Sequence, residues 1–224
     1  MFEESSIVSL TLMIVIATVA VTIVSFSNVR LLRALLLSAR DVVVRGQGWR
    51  LITSGFVHAD WMHLAFNMFT LFIFGSWLEQ MIMSWRFGMT YFLGIVVGSF
   101  ASLVMHRNES DYHALGASGG VCAVIGAATV LEPNMGMMIF PLQFNIPAWV
   151  VGMLFIVYTI VGANKRMDNI GHEAHLGGTL AGMGLVVAFF PTLAAQNYLY
   201  ILAILCAAVV AWLVVRRLGS RQPS

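Results

Sequence analysis

Long apolar runs alternate with short polar joints along this chain. A membrane-crossing helix needs about 20 mostly apolar residues, and on that rule spans fall near residues 7–26, 61–78, 87–105, 118–131, 147–163, 175–190 and 198–215. The first run, Ile7 to Phe26, follows Glu3 and Glu4 instead of a basic segment and exceeds a signal-peptide core, so it reads as a retained span. Residues 28–60 break the rhythm. There Leu31, Leu32, Leu35, Leu36 and Leu37 interleave with Arg30, Arg33 and Arg40, which predicts a helix lying in the interface plane. This connector contains Trp49-Arg50, a pair suited to headgroup depth, where the guanidinium reaches lipid phosphate or backbone carbonyls.

Small residues mark where helices meet. Gly94 and Gly98 form a G-x-x-x-G contact face, as do Gly178 and Gly182, and Gly116-Ala117-Ser118-Gly119-Gly120 opens the fourth run. A serine in that setting is either helix packing or a nucleophile. From Ser118 to Leu131 there are 14 residues, roughly 21 Å of helix against a hydrocarbon core of about 30 Å. If the far end reaches the interface near Glu132-Pro133-Asn134, Ser118 lies below the opposite surface, facing a water-filled depression.

Composition narrows the class. The chain is 59% hydrophobic and only 10% charged, where soluble domains carry roughly 25% charged residues. The chain is therefore an all-α polytopic membrane protein. Its net charge of +2 is small and spread over loops, so nothing points to nucleic acid and none is expected as a partner. Cys122 and Cys206 sit in apolar runs as packing thiols, and no metal-ligand spacing appears, so neither a metal nor another cofactor is expected.

The polar residues inside the spans carry the chemistry. His63 and Asn67 lie four apart on one face of the second span; such groups mark a site or a helix-bridging contact. Glu79, at the far end of that span, reads as structural, holding helix ends together. Adjacent spans alternate direction, so the second, fourth and sixth enter from one side, bringing His63 and Asn67, Ser118 and His175 to one depth. Ser118 and His175 then form a nucleophile and its base. His63, Asn67 and the backbone N–H groups opening the serine helix are the candidate oxyanion donors. Asp111 and Asp168 fall in loops, which leaves a two-residue Ser-His arrangement. His106 and His113 read as solvated loop residues, and His58 and His172 receive no role beyond meeting water.

Gly116-Ala117-Ser118-Gly119, His63 with Asn67, Trp49-Arg50, and Ala174-His175 followed by Gly178 and Gly182 together resemble the motif set of rhomboid intramembrane serine proteases, in that family's order, over roughly residues 45–190. The resemblance implies a six-helix rhomboid core, here with a seventh C-terminal helix. Residues 1–27 are then the first transmembrane helix, 28–60 the interfacial connector, 61–190 core helices two to six, and 191–224 the extra helix and basic tail. It implies Ser118 as nucleophile, His175 as general base, and oxyanion support from His63, Asn67 and Ser118. Trp49, Arg50, Glu79, Gly116, Gly119, Gly178 and Gly182 are the supporting positions. One departure stands out: many members carry an aromatic four residues after the serine, packed on the catalytic histidine, whereas this chain has Cys122.

The implied partners are single-pass transmembrane proteins cut near the end of the segment, together with membrane lipid; oligomeric state is left open. The implied location is a bacterial inner membrane with the catalytic mouth away from the cytoplasm. Charge disagrees, because every Lys and Arg except Arg86 falls on the mouth side or in the connector and tails that share it, and basic loops favour the cytoplasm. The family orientation is the one adopted, since the connector arginines belong to a folded interfacial element. The competing readings are a non-cleaving relative that binds transmembrane segments, kept open by Cys122, and a small transporter, disfavoured by the absence of an inverted repeat.

Overall fold

The computed structural model describes residues 9–138, 145–165 and 171–219. Helix α1 (Leu10–Ser27) leads into a connector of α2 (Val29–Leu35), α3 (Ala39–Arg45), α4 (Arg50–Thr53) and a 3-10 turn (Ser54–Phe56). A continuous helical stretch follows: α5 (Trp61–Thr70), a π turn (Leu71–Gly75) and α6 (Ser76–Ile82). Then come α7 (Ser84–His106), α8 (Ser118–Leu131), α9 (Ala148–Lys165), α10 (His172–Phe189), the short α11 (Pro191–Gln196) and α12 (Tyr198–Gly219). Leu10–Ser27, Trp61–Ile82, Ser84–His106 and Tyr198–Arg217 are long and apolar enough to cross a membrane, while Ser118–Leu131 and Ala148–Ala163 are shorter apolar helices. Asp168 and the start of the first predicted span lie outside the described residues.

Helix α1 shows how a membrane helix turns itself inside out. Thr11, Ile14, Thr18, Thr22 and Ser25 are buried at helical spacing, while Leu12, Met13, Ile16, Ile23 and Val24 face outward. Lipid tails supply no hydrophobic drive between helices, so small polar residues form the inward stripe and apolar ones meet lipid. At its start, the Leu10 and Thr11 N–H groups, which have no partner within the helix, donate to Glu79 Oε1 and Oε2 at 2.8 and 2.9 Å.

The connector departs from the single interfacial helix predicted. It breaks at Leu36 because Leu37–Ser38 (β1) pairs antiparallel with His113–Ala114 (β2), in the loop that leads to Ser118. Ser38 then caps α3 by accepting from the Asp41 N–H at 3.3 Å. Arg50 is buried, and it reaches protein carbonyls instead of lipid. Its Nη1 donates to Arg33 O and Leu36 O, both at 2.7 Å; its Nε donates to Gln47 Oε1 at 2.7 Å; and its Nη2 pairs with Asp41 at 3.2 Å. Those carbonyls end α2, so the fork holds the break in place. Trp49 beside it is exposed.

The core lies between α7, α8 and α10. Helix α7 seats the other two through glycine: a Cβ on Gly94 would strike Ala123, and one on Gly98 would lie 2.6 Å from Ala174 O. Helix α12 packs along α9, and Asn197, just before α12, donates from Nδ2 to Val130 O at 2.9 Å, tying the C-terminal unit to the end of α8.

Candidate active site

Helix α5 begins with Asp60 at its N-cap, whose carboxylate accepts the His63 N–H at 2.7 Å. This fixes the first turn and places His63 half-buried and Asn67 buried on one face, with Asn67 Nδ2 donating to His63 O at 2.9 Å. Against the His63 ring runs the approach to Ser118. Gly116 has φ +122°, a conformation L side chains rarely adopt, and a Cβ there would lie 2.7 Å from His63 Cε1 and Nε2. Its N–H donates to Ser54 O at 2.9 Å.

The next residue is held by a histidine for which the sequence reading had no role. Ala117 N–H donates to His58 Nε2 at 3.2 Å. On its other side His58 Nδ1 lies 3.1 Å from Thr22 Oγ1, which itself donates to Phe56 O at 3.0 Å. Because Nε2 accepts and Thr22 has committed its proton, Nδ1 carries the imidazole hydrogen and donates to Thr22. His58 is fully buried, and burial first, then the neighbouring His63, pushes its pKa from 6.5 down to about 3. His58 is therefore neutral at ordinary pH, which is the form this relay requires. Its ring lies edge-on to His63 at 4.9 Å.

Ser118 is the first residue of α8. The ladder there starts with Val121 N–H donating to Ala117 O at 3.0 Å, which leaves the N–H groups of Ser118, Gly119 and Gly120 outside it. His175 sits in the first turn of α10, its N–H bonded to Gly171 O at 3.1 Å. The two helices meet backbone to backbone. A Cβ on Gly178 would strike Gly119 O, one on Gly182 would strike Ala123 O, and one on Gly126 would strike Thr179 O. The seam reaches the starts of both helices, because a Cβ on Gly119 would lie 3.7 Å from Ala174 O, and these two residues are the chain neighbours of Ser118 and His175. His63, Asn67, Ser118 and His175 thus open three helices that converge at one end of the bundle.

Other residues fall elsewhere. Glu79 lies at the opposite end of the α5–α6 stretch, accepting from Ser9 Oγ at 2.6 Å, Thr11 Oγ1 at 2.7 Å and Ser84 Oγ at 2.7 Å, besides the two backbone groups of α1. Trp49 and Arg50 belong to the connector. His106, expected to be solvated, is not: it stacks on Tyr112 at 3.8 Å, and its ring nitrogens lie 3.1 Å from Glu109 and 3.5 Å from Glu173 on α10. His113 is exposed. His172 is buried, edge-on to Tyr158 at 5.1 Å and to His175 at 6.4 Å. Cys122 is buried in α8, and the aromatic beside His175 comes from α9 instead. Phe155 lies near-parallel to the imidazole, 5.9 Å between centroids at 25°. Nothing local marks His58 or Phe155, one a loop histidine and the other an aromatic among apolar neighbours. Among the described residues no group of three His, Cys, Asp or Glu side chains is placed to hold a metal ion.

Comparison with known proteins agrees with this architecture. Residues 45–192 match the family model described as the Rhomboid domain. The chain is 32% identical over 143 residues to Rhomboid protease GluP of Bacillus subtilis, covering 63% of this chain and 26% of that protein. It is 30% identical over 136 residues to Rhomboid protein 1, mitochondrial, of Saccharomyces cerevisiae, covering 59% of this chain and 39% of that protein. To Putative rhomboid protease YdcA of Bacillus subtilis it is 32% identical over 144 residues, covering 62% of this chain and 66% of that protein. The matched stretch thus spans about a quarter to two fifths of the first two relatives.

Proposed function

The chain belongs to the rhomboid family, and from that premise we propose that this multi-pass membrane protein is an intramembrane serine endopeptidase working through a Ser118-His175 dyad. Ser118 Oγ attacks a substrate carbonyl carbon while His175 takes its proton. The oxyanion that forms is met by the Ser118 backbone N–H, His63 and Asn67, and the start of α8 favours its charge. Collapse expels the amine, which leaves with the proton from His175, and water then cleaves the acyl-enzyme with His175 again as base. No metal or cofactor takes part.

The observation that carries this reading is the glycine seam. Direct backbone contact of α8 with α10 runs up to Gly119 and Ala174, the chain neighbours of Ser118 and His175, so a serine and a histidine stand at the half-buried starts of two touching helices, an arrangement packing alone does not demand. The substrate class is a single-pass membrane protein whose helix unwinds near its end, since a helical peptide bond hides its carbonyl, with a small residue before the scissile bond. The setting is a bacterial inner membrane with the mouth away from the cytoplasm; labelling of a cysteine introduced near residue 110 in intact cells tests that orientation.

A second reading, binding of transmembrane segments without cleavage, draws on Cys122, which leaves the α8 side of the imidazole without an aromatic. Purified protein in liposomes with a model transmembrane substrate separates the two. Wild type is expected to cut and folded Ser118→Ala and His175→Ala to fall to background; a folded wild type no better than either variant favours binding alone.

A further inference from the structure

We propose that Phe155 on α9 is the positioning residue for the His175 imidazole, filling from a different helix the role that position 122 leaves open. This rests on the proteolytic reading above. A general base must hold its ring plane while it takes a proton and returns it, and an imidazole in the first turn of a helix can swing about its side-chain torsions unless something flat lies against it. Position 122, one turn after Ser118, offers only a thiol. Phe155 offers a face: 5.9 Å between centroids and 25° between planes is an offset-stacked arrangement, within the 4.5–7 Å range over which aromatic pairs attract.

The contact is part of a larger wall. Tyr158, one turn along α9, lies 6.5 Å from Phe155 and 5.1 Å from His172. His172 in turn lies edge-on to His175 at 6.4 Å. Two rings from α9 and two from α10 therefore form one cluster, with the base in it. Gly162 keeps α9 close, since a Cβ there would strike the His172 ring. Helix α9 packs against α12, so the C-terminal helix lies against the helix that aligns the base. The base is thereby aligned by a helix other than the two that carry the dyad.

The test uses the full chain in liposomes with a model transmembrane substrate, comparing Phe155→Leu, Phe155→Tyr, and Phe155→Leu combined with Cys122→Phe. Because misplacing a reacting group by about 1 Å costs up to about 100-fold, Phe155→Leu is expected to lower kcat by about 10- to 100-fold with KM little changed. Phe155→Tyr should retain activity, and Cys122→Phe should restore much of what Phe155→Leu loses. Independently of turnover, in an inactive Ser118→Ala background the His175 ring proton resonance should shift when Phe155 becomes Leu, as the aromatic ring current disappears. An unchanged kcat in folded Phe155→Leu, an equal loss in Phe155→Tyr, or an unmoved His175 resonance overturns the proposal. Wild type that cuts no better than Ser118→Ala removes the proteolytic reading itself, a result visible before any Phe155 variant is made.

Discussion

The stretch from Trp61 to Ile82 carries a polar cluster at each end, and the two are built in opposite ways. At the far end the Glu79 carboxylate accepts five hydrogen bonds, from Ser9, Leu10, Thr11 twice and Ser84. It joins the starts of α1 and α7 to the end of α6, and its oxygens are fully engaged. At the near end Asp60 and His58 satisfy backbone groups, but among the described residues the ring nitrogens of His63 are bound to nothing. One end is saturated and holds the fold; the other, on the proposed mechanism, keeps donors available where negative charge would develop. A buried polar group that is fully satisfied rigidifies a structure, and one left available near a nucleophile is poised for a substrate atom.

Substitution at each end should therefore separate stability from activity. The largest effect is expected at the near end. Asn67→Ala or His63→Ala should cost about 2.7 to 4 kcal/mol of transition-state stabilisation, or roughly 100- to 1,000-fold in kcat, with little change in the thermal midpoint measured in detergent. An unfolded Asn67→Ala protein would instead make that end structural too. At the far end Glu79→Ala should lower stability by about 3 kcal/mol, because hydrogen bonds to a charged acceptor contribute about 1.5 to 3 kcal/mol each and do not add fully. Whatever folds should cleave normally per active molecule, as read by single-turnover kinetics. A kcat loss in correctly folded Glu79→Ala would break the contrast.

The smallest effect sharpens it through pH. His58 has its pKa depressed from 6.5 to about 3 in the folded chain, so the unfolded chain binds this proton first. The stability it protects is complete above pH 6.5 and is lost as pH falls toward 3, at up to about 1.4 kcal/mol per pH unit. Denaturant titrations followed by tryptophan fluorescence at pH 7.5 and 5.5 should show wild type losing stability on acidification. His58→Gln should start lower at pH 7.5 and lose less. Equal slopes would mean that His58 is not held neutral.

Some of this was legible residue by residue. The run Ser118–Leu131 is a helix with the bounds its apolar pattern predicts, and the glycines at 94, 98, 178 and 182 lie at backbone contacts because only a residue without a side chain permits them. The interfacial helix was not legible: the Leu and Arg spacing of residues 31–40 carries no sign that Leu37–Ser38 would pair with His113–Ala114, some 75 residues later. The histidines were misjudged for the same reason. His106 has loop neighbours in sequence and Tyr112, Glu109 and Glu173 as neighbours in space.

What the sequence determined by itself were the properties each segment carries alone. In lipid a backbone must satisfy its own hydrogen bonds, so long apolar runs have to be helices, and small residues spaced four apart have to be the faces where they touch. Motif order was equally local, and it sufficed to point to the family. Only the tertiary structure decided which groups lie against His175, which histidine holds the Ala117 N–H, and that Phe155 on α9 stands beside His175 where Cys122 could not. Those facts depend on how separate helices dock, and docking is set by the sum of many small contacts along α7, α8, α9 and α10, which no single stretch of sequence contains.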